Sequence, residues 1–140
     1  VGDETYAILL PKHPTEAPNR EEEWVAALCS GGFSDVRIIA GNRGREYEKP
    51  VSVFMWKAEQ LRELARLFVL FKGEYSENVS LIVAMDACPF MIAAIRSIRV
   101  AAERTDIRFI AVVEREEESQ GDPGMTRIGS VEELRDALKV

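Results

Sequence analysis

Four short stretches of the chain are almost wholly apolar: Tyr6-Ala-Ile-Leu-Leu10, Val36-Arg-Ile-Ile-Ala40, Leu81-Ile-Val-Ala-Met85 and Ile107-Arg-Phe-Ile-Ala-Val-Val113. Continuous apolar runs of this length, bounded by turn-forming residues, predict strands covered on both faces. Their Val and Ile content favours strand over buried helix. A fifth run, Val51-Ser-Val-Phe-Met-Trp56, follows Pro50 and leads straight into a helical pattern. Its content predicts another strand, placed toward a sheet edge because of the proline.

Between these runs the apolar positions change to helical spacing. The first helix opens at Asn19-Arg-Glu-Glu22, where Asn19 suits the N-cap and Glu21 to Glu23 suit the positive end of the helix dipole. Trp24, Ala27 and Leu28 form its inner stripe, and Gly31-Gly32 stops it. The second helix is predicted over 58–71, with Leu61, Leu64, Ala65, Phe68 and Phe71 facing inward. Its last turns, Leu67-Phe-Val-Leu-Phe71, are apolar all round, which implies deep burial or a subunit interface. A third helix over 87–104 repeats Met91, Ile95, Ile98 and Ala102, and a fourth starts at the capping box Ser130-Val-Glu-Glu133.

Strands alternating with helices imply a parallel sheet with helices on both faces. Right-handed crossovers then leave few topologies. The expected fold is one α/β domain over residues 1–140, a three-layer sandwich around a mainly parallel sheet of about five strands, Rossmann-like or flavodoxin-like. The segment 41–50 offers an alternative. It is able to turn a hairpin between the second and third predicted strands, which would make the sheet mixed.

Composition narrows the function classes. In 140 residues, 46% hydrophobic and 30% charged positions are an ordinary globular mixture, which excludes a disordered or collagen-like chain. Eighteen Lys and Arg against 24 Asp and Glu leave a net charge of −6, an unfavourable start for binding nucleic acid or an anionic membrane surface. No apolar run reaches the roughly 20 residues that span a bilayer. The first residues do not form a signal peptide. Two cysteines, Cys29 and Cys88, are too few for a disulfide scaffold and suit a reducing compartment. The expectation is a cytoplasmic protein.

In an open parallel sheet, ligands bind at the carboxyl ends of the strands, where the chain order reverses. That rule selects Lys12 and His13 after the first strand, Asn42 and Arg43 after the second, and Asp86 and Cys88 after the third of the apolar runs as candidate binding residues. Asp86 directly follows a strand and is placed to hold a metal, orient a hydroxyl or accept a proton, although Asp in this position is most often a helix N-cap. Cys88 falls in the first turn of the next helix, where the dipole activates a thiol, but buried cysteines are usually inert. His13 is the only histidine, so a multi-histidine metal site is excluded. Its ordinary role in a loop is a solvated side chain; with Lys12 it also suits an anionic ligand. Arg96, Arg99 and Arg104 offer a small basic face that salt bridges would explain equally well. The run Glu114 to Glu118 reads as a solvated loop rather than a metal site.

No GxGxxG or GxxxxGK[ST] follows the first strand, where Pro11 stands instead, so nicotinamide and P-loop chemistry are disfavoured. Phosphoacceptor chemistry of the receiver type needs an acidic pair where Pro11-Lys12-His13 stands. Two function classes survive. The favoured one is a non-catalytic α/β module that binds a small molecule or a protein partner, with homodimer formation through 67–71. The other is a small hydrolase or transferase using Asp86 with Lys12 or His13. The residues name no cofactor.

Overall fold

The computed structural model describes residues 5–13, 21–41, 52–70, 78–113 and 125–139. The elements in chain order are β1 (Tyr6–Leu10), α1 (Glu21–Ser30), β2 (Asp35–Ile38) and α2 (Val53–Ala65), which continues as a π-helical turn over Arg66–Leu70. They are followed by β3 (Val79–Ala84), α3 (Pro89–Ala101), β4 (Arg108–Val112), β5 (Met125–Ile128) and α4 (Val131–Leu138). The sheet has five strands in the order β2-β1-β3-β4-β5. Every pairing is parallel, with Leu9 opposite Val83 and Val83 opposite Ile110 across the centre.

Strand alternation divides the core into two layers. On one face, Ile8, Leu10, Ile82, Ala84, Phe109 and Ala111 pack with Leu61, Leu64 and Phe68 from α2 and its extension and with Met91 and Ile95 from α3. On the other, Ala7, Leu9, Leu81, Val83, Ile110 and Val112 pack with Trp24, Ala27 and Leu28 from α1 and Val131 and Leu134 from α4. Helices on both faces of a parallel sheet make the expected three-layer α/β architecture. No helix among the described residues is long and apolar enough to cross a membrane.

Two helix ends show how local sequence sets the layers. After α1, Gly32 takes φ +105°, and the amides of Gly32 and Phe33 donate to the carbonyls of Cys29 and Leu28. This is a Schellman ending, which glycine enters without steric cost. After α3 the same pattern recurs without glycine. Glu103 takes φ 56°, and the amides of Glu103 and Arg104 donate to Val100 and Arg99. The predicted helix over 87–104 is therefore shorter, with Pro89 in its first turn and its last residues in the cap.

Where a strand is predicted over 51–56, the chain is helix from Val53 onward, and residue 51 lies outside the described residues. Ser52 is an N-cap whose Oγ accepts from the Met55 amide at 3.1 Å, so α2 begins at Val53, five residues before its expected start. A buried stripe of Trp56, Gln60, Leu64 and Phe68, each four residues on, holds the helical phase against the β-forming side chains. The hairpin alternative across 35–56 loses its second strand for the same reason; residues 42–51 lie outside the described residues. The fifth strand is β5, Met-Thr-Arg-Ile, which the apolar pattern did not reveal because three of its four side chains are only partly buried. In the segment 67–71, Phe68 is 4% exposed and Leu67 packs against the same core, as the burial alternative expects for these two residues; the side chains of 69–71 lie outside the described residues. The Asn19 cap and the Glu114 to Glu118 run lie outside the described residues.

Candidate functional site

The strand order reverses between β1 and β3. From β1 the chain crosses to β2 on one side, then returns over β1 to β3 on the other. The crevice at the carboxyl ends of β1 and β3 is thus the topological switch point. The Met85 amide donates to the Leu10 carbonyl at 2.9 Å, so the two strands stay joined up to the rim. Lys12 and His13 follow β1 there, and Asp86 and Cys88 follow β3. The structure brings these four candidates to one edge. Asn42 and Arg43 lie outside the described residues.

Asp86 does not cap α3. The N-cap is Cys88, whose side chain makes no capping bond, with Pro89 behind it. The Asp86 carboxylate is instead bound by Lys57 Nζ at 2.9 Å, the two side chains being 30% and 16% exposed. Lys57 comes from the start of α2, so this ion pair ties the helix to the loop after β3. Part-burial strengthens such a pair relative to a fully exposed one, because solvent screens it less.

His13 is not solvated. It is 6% exposed and meets the Trp56 ring edge-on, with centroids 5.2 Å apart and an interplanar angle of 75°. Beneath this contact Gln60, 1% exposed, donates from Nε2 to the carbonyls of Pro11 and Ile39, both at 2.9 Å. Trp56 Nε1 reaches the same Pro11 carbonyl at 3.4 Å. One glutamine therefore links the ends of β1 and β2. Gly41 closes the arrangement: its φ is +49°, and a Cβ there would lie 2.6 Å from the Trp56 carbonyl oxygen. Only glycine allows so close a backbone approach at a left-handed φ.

The rim also carries apolar surface. Phe54, Met55 and Phe90 are 69%, 53% and 52% exposed, and the Phe54 and Phe90 rings lie 6.1 Å apart, tilted by 30°. They stand at the starts of α2 and α3, next to the Lys57–Asp86 pair in sequence and in fold. Reading 51–56 as a strand hid Phe54, Trp56 and Lys57 from the candidate set. Gln60 carried a usable signal, a polar residue inside an apolar helical stripe.

Cys88 is partly buried against the core and, like Cys29, is a free thiol. Among the described residues no three His, Cys, Asp or Glu side chains gather as a metal site. Two of the three arginines of the basic face, Arg99 and Arg104, are engaged with backbone carbonyls. Arg99 is 9% exposed and donates from Nη2 to the Thr105 carbonyl, and burial lowers its pKa from the usual arginine range. Its Nε has no hydrogen-bond partner among the described residues. Arg104 donates to the Val79 carbonyl at 2.9 Å and pairs with Asp106 at 3.1 Å. The Arg104 hydrogen bond holds the Asp106 carboxyl below its ordinary value. Arg99 and Arg104 therefore fasten the amino ends of β3 and β4, opposite to the rim.

The rim combines a half-buried ion pair, a buried imidazole held by an indole, and an exposed aromatic pair. Within it the Asp86 carboxylate and the Lys57 ammonium are paired with each other. Comparison with protein-family models, with curated proteins and with solved structures found no match.

Proposed function

We propose that the protein is a non-catalytic α/β module that binds a small molecule at the carboxyl edge of its sheet, between the ends of β1 and β3. The observation that carries this reading is the exposed Phe54–Phe90 pair beside the half-buried Lys57–Asp86 ion pair. Large apolar side chains clustered at a ligand-binding edge cost solubility, which a binding role repays. An apolar ring face would rest on the phenylalanines, and a polar group would be read by the ion pair or by Lys12. Two free cysteines suit a reducing, cytoplasmic setting.

The test is a thermal-shift screen with nucleotides, sugar phosphates and aromatic carboxylates, followed by the Phe54→Ser, Phe90→Ser double variant. A ligand that raises the melting midpoint of the parent and not of the variant supports the proposal. Stabilisation that survives in the variant, or none from any class, overturns it. A catalytic reading is favoured by His13 and Asp86 sharing one rim. It requires turnover of an ester or phosphate ester that disappears in Asp86→Asn. Self-association through Phe54, Met55 and Phe90 is a further use of the same surface, and light scattering of parent and double variant distinguishes it.

A further inference from the structure

A second opening lies on the flank of the sheet, away from the loops after β1 and β3. It is a cleft of about 240 Å³ between edge strand β2 and the end of α2, lined by Arg37, Ile39, Glu63, Arg66 and Leu67. Strand alternation puts Arg37 and Ile39 on the face that α2 covers, and Ile39 is buried in the same layer as Leu64 and Phe68. Glu63, Arg66 and Leu67 are three and four residues apart, so they share one side of the helix. Arg66 and Leu67 belong to the π-helical turn, a widened geometry found frequently at functional sites.

Opposite charges three residues apart commonly pair, as Glu59 and Arg62 do one turn earlier at 3.8 Å. Glu63 and Arg66 have the same spacing, yet neither side chain has a hydrogen-bond or ion-pair partner among the described residues. An uncommitted carboxylate and an uncommitted guanidinium thus line one cleft, above an aliphatic floor. A simple anion would meet Glu63, and a simple cation would meet two arginines. A molecule bearing both signs complements Glu63 and Arg66 and brings its anionic end beside Arg37.

We propose that this cleft binds an α-amino acid with an aliphatic side chain. The carboxylate lies between Arg37 and Arg66, where guanidinium geometry favours carboxylates. The ammonium faces Glu63, and the side chain rests on Ile39 and Leu67. The volume is below the roughly 300 Å³ at which drug-sized ligand sites begin, which suits a ligand of this size. The site is independent of the one proposed at the carboxyl edge, and either can fail without the other.

The experiment is an amide-resolved NMR titration of the isotope-labelled protein with L-leucine at millimolar concentration. Isocaproate, which lacks the ammonium, and isoamylamine, which lacks the carboxylate, are the probes of charge. Saturable shifts are expected at Arg37 to Ile39 and at Glu63 to Leu67. Arg66→Gln should weaken L-leucine and isocaproate by about tenfold, the value of one charge-assisted hydrogen bond. Glu63→Gln should weaken L-leucine similarly and leave isocaproate no weaker. Both substitutions are at exposed helix positions, and an unchanged melting midpoint checks the fold. The proposal is overturned by absence of saturable shifts with L-leucine, by shifts confined to the loops after β1 and β3, or by unchanged affinity in both variants.

Discussion

Replacing Gln60 by leucine should destabilise the protein far more than an isosteric change at a helix position normally does. The side chain is 1% exposed, and its amide supplies hydrogen bonds at 2.9 Å to the carbonyls of both Pro11 and Ile39. Leucine keeps most of the volume and removes both donors. The Ile39 carbonyl loses its side-chain donor, while the Pro11 carbonyl keeps only the 3.4 Å contact from Trp56. A buried acceptor left without a partner costs about 1–3 kcal/mol, so one full and one partial loss give about 2–4 kcal/mol. With a urea slope of about 2 kcal/mol per molar, the unfolding midpoint falls by roughly 1–2 M. Urea unfolding followed by far-UV circular dichroism and by Trp fluorescence measures this, and agreement of the two probes checks two-state behaviour. Gln60→Glu adds a sign test. An ionised carboxylate facing two carbonyl oxygens is disfavoured in the folded state, so its pKa rises on folding. The deficit of that variant relative to the parent should therefore be largest at neutral pH and narrow on acidification. A Gln60→Leu protein within about 0.5 kcal/mol of the parent, the usual range for an inconsequential surface change, would refute the clamp.

Other consequences follow from single residues. Gly41→Ala should cost about 2 kcal/mol or more, because it places a Cβ at positive φ and against the Trp56 carbonyl, and a thermal melt reads the loss. Asp106 has its pKa depressed in the folded protein by Arg104, so its contribution is present above the ordinary carboxylate range near about pH 4 and is lost as pH falls through the depressed value. Asp106→Asn should therefore lower the melting midpoint slightly at neutral pH, with the gap closing in acid; a gap that widens in acid contradicts the assignment. Phe68→Ala should cost about 3–5 kcal/mol as a core truncation, whereas Phe54→Ser, at 69% exposure, should stay within about 0.5 kcal/mol; equal losses in urea unfolding would contradict the burial contrast.

The central strands were legible because burial on both faces leaves nothing but apolar side chains to write. Tyr6–Leu10 coincides with β1, and the runs at 81–85 and 107–113 differ from β3 and β4 only at their ends. Edge strands carry less of this signal. In β2 the burial alternates, and in β5 Met125, Thr126 and Arg127 are all partly exposed, so its four residues resemble loop. The stretch 51–56 misleads in the opposite direction. Val53, Phe54 and Trp56 are good strand formers by propensity, but such preference is weak beside packing. What decides is Ser52, which satisfies the Met55 amide, together with the stripe through Trp56, Gln60, Leu64 and Phe68.

The site was half legible for a related reason. Its place follows from topology: once the sheet is parallel and its order reverses beside β1, the residues after β1 and β3 must share an edge, and Lys12, His13, Asp86 and Cys88 do. The partners that define those residues come from α2, which the sequence pattern began five residues too late. Lys57 turns Asp86 from a cap into half of an ion pair, and Trp56 turns His13 from a loop side chain into a buried one. Moreover, the groups that hold the loops together are backbone carbonyls, at Pro11 and Ile39, and a carbonyl leaves no trace in residue identity. Its trace is indirect, in the donor sent to meet it. A primary amide in the middle of an apolar helical stripe loses its hydration on folding, and it is tolerable there only if backbone acceptors replace the water. Gln60 is such a residue, so its position in the stripe already implies that chain ends converge on α2, even where their own side chains are silent about it.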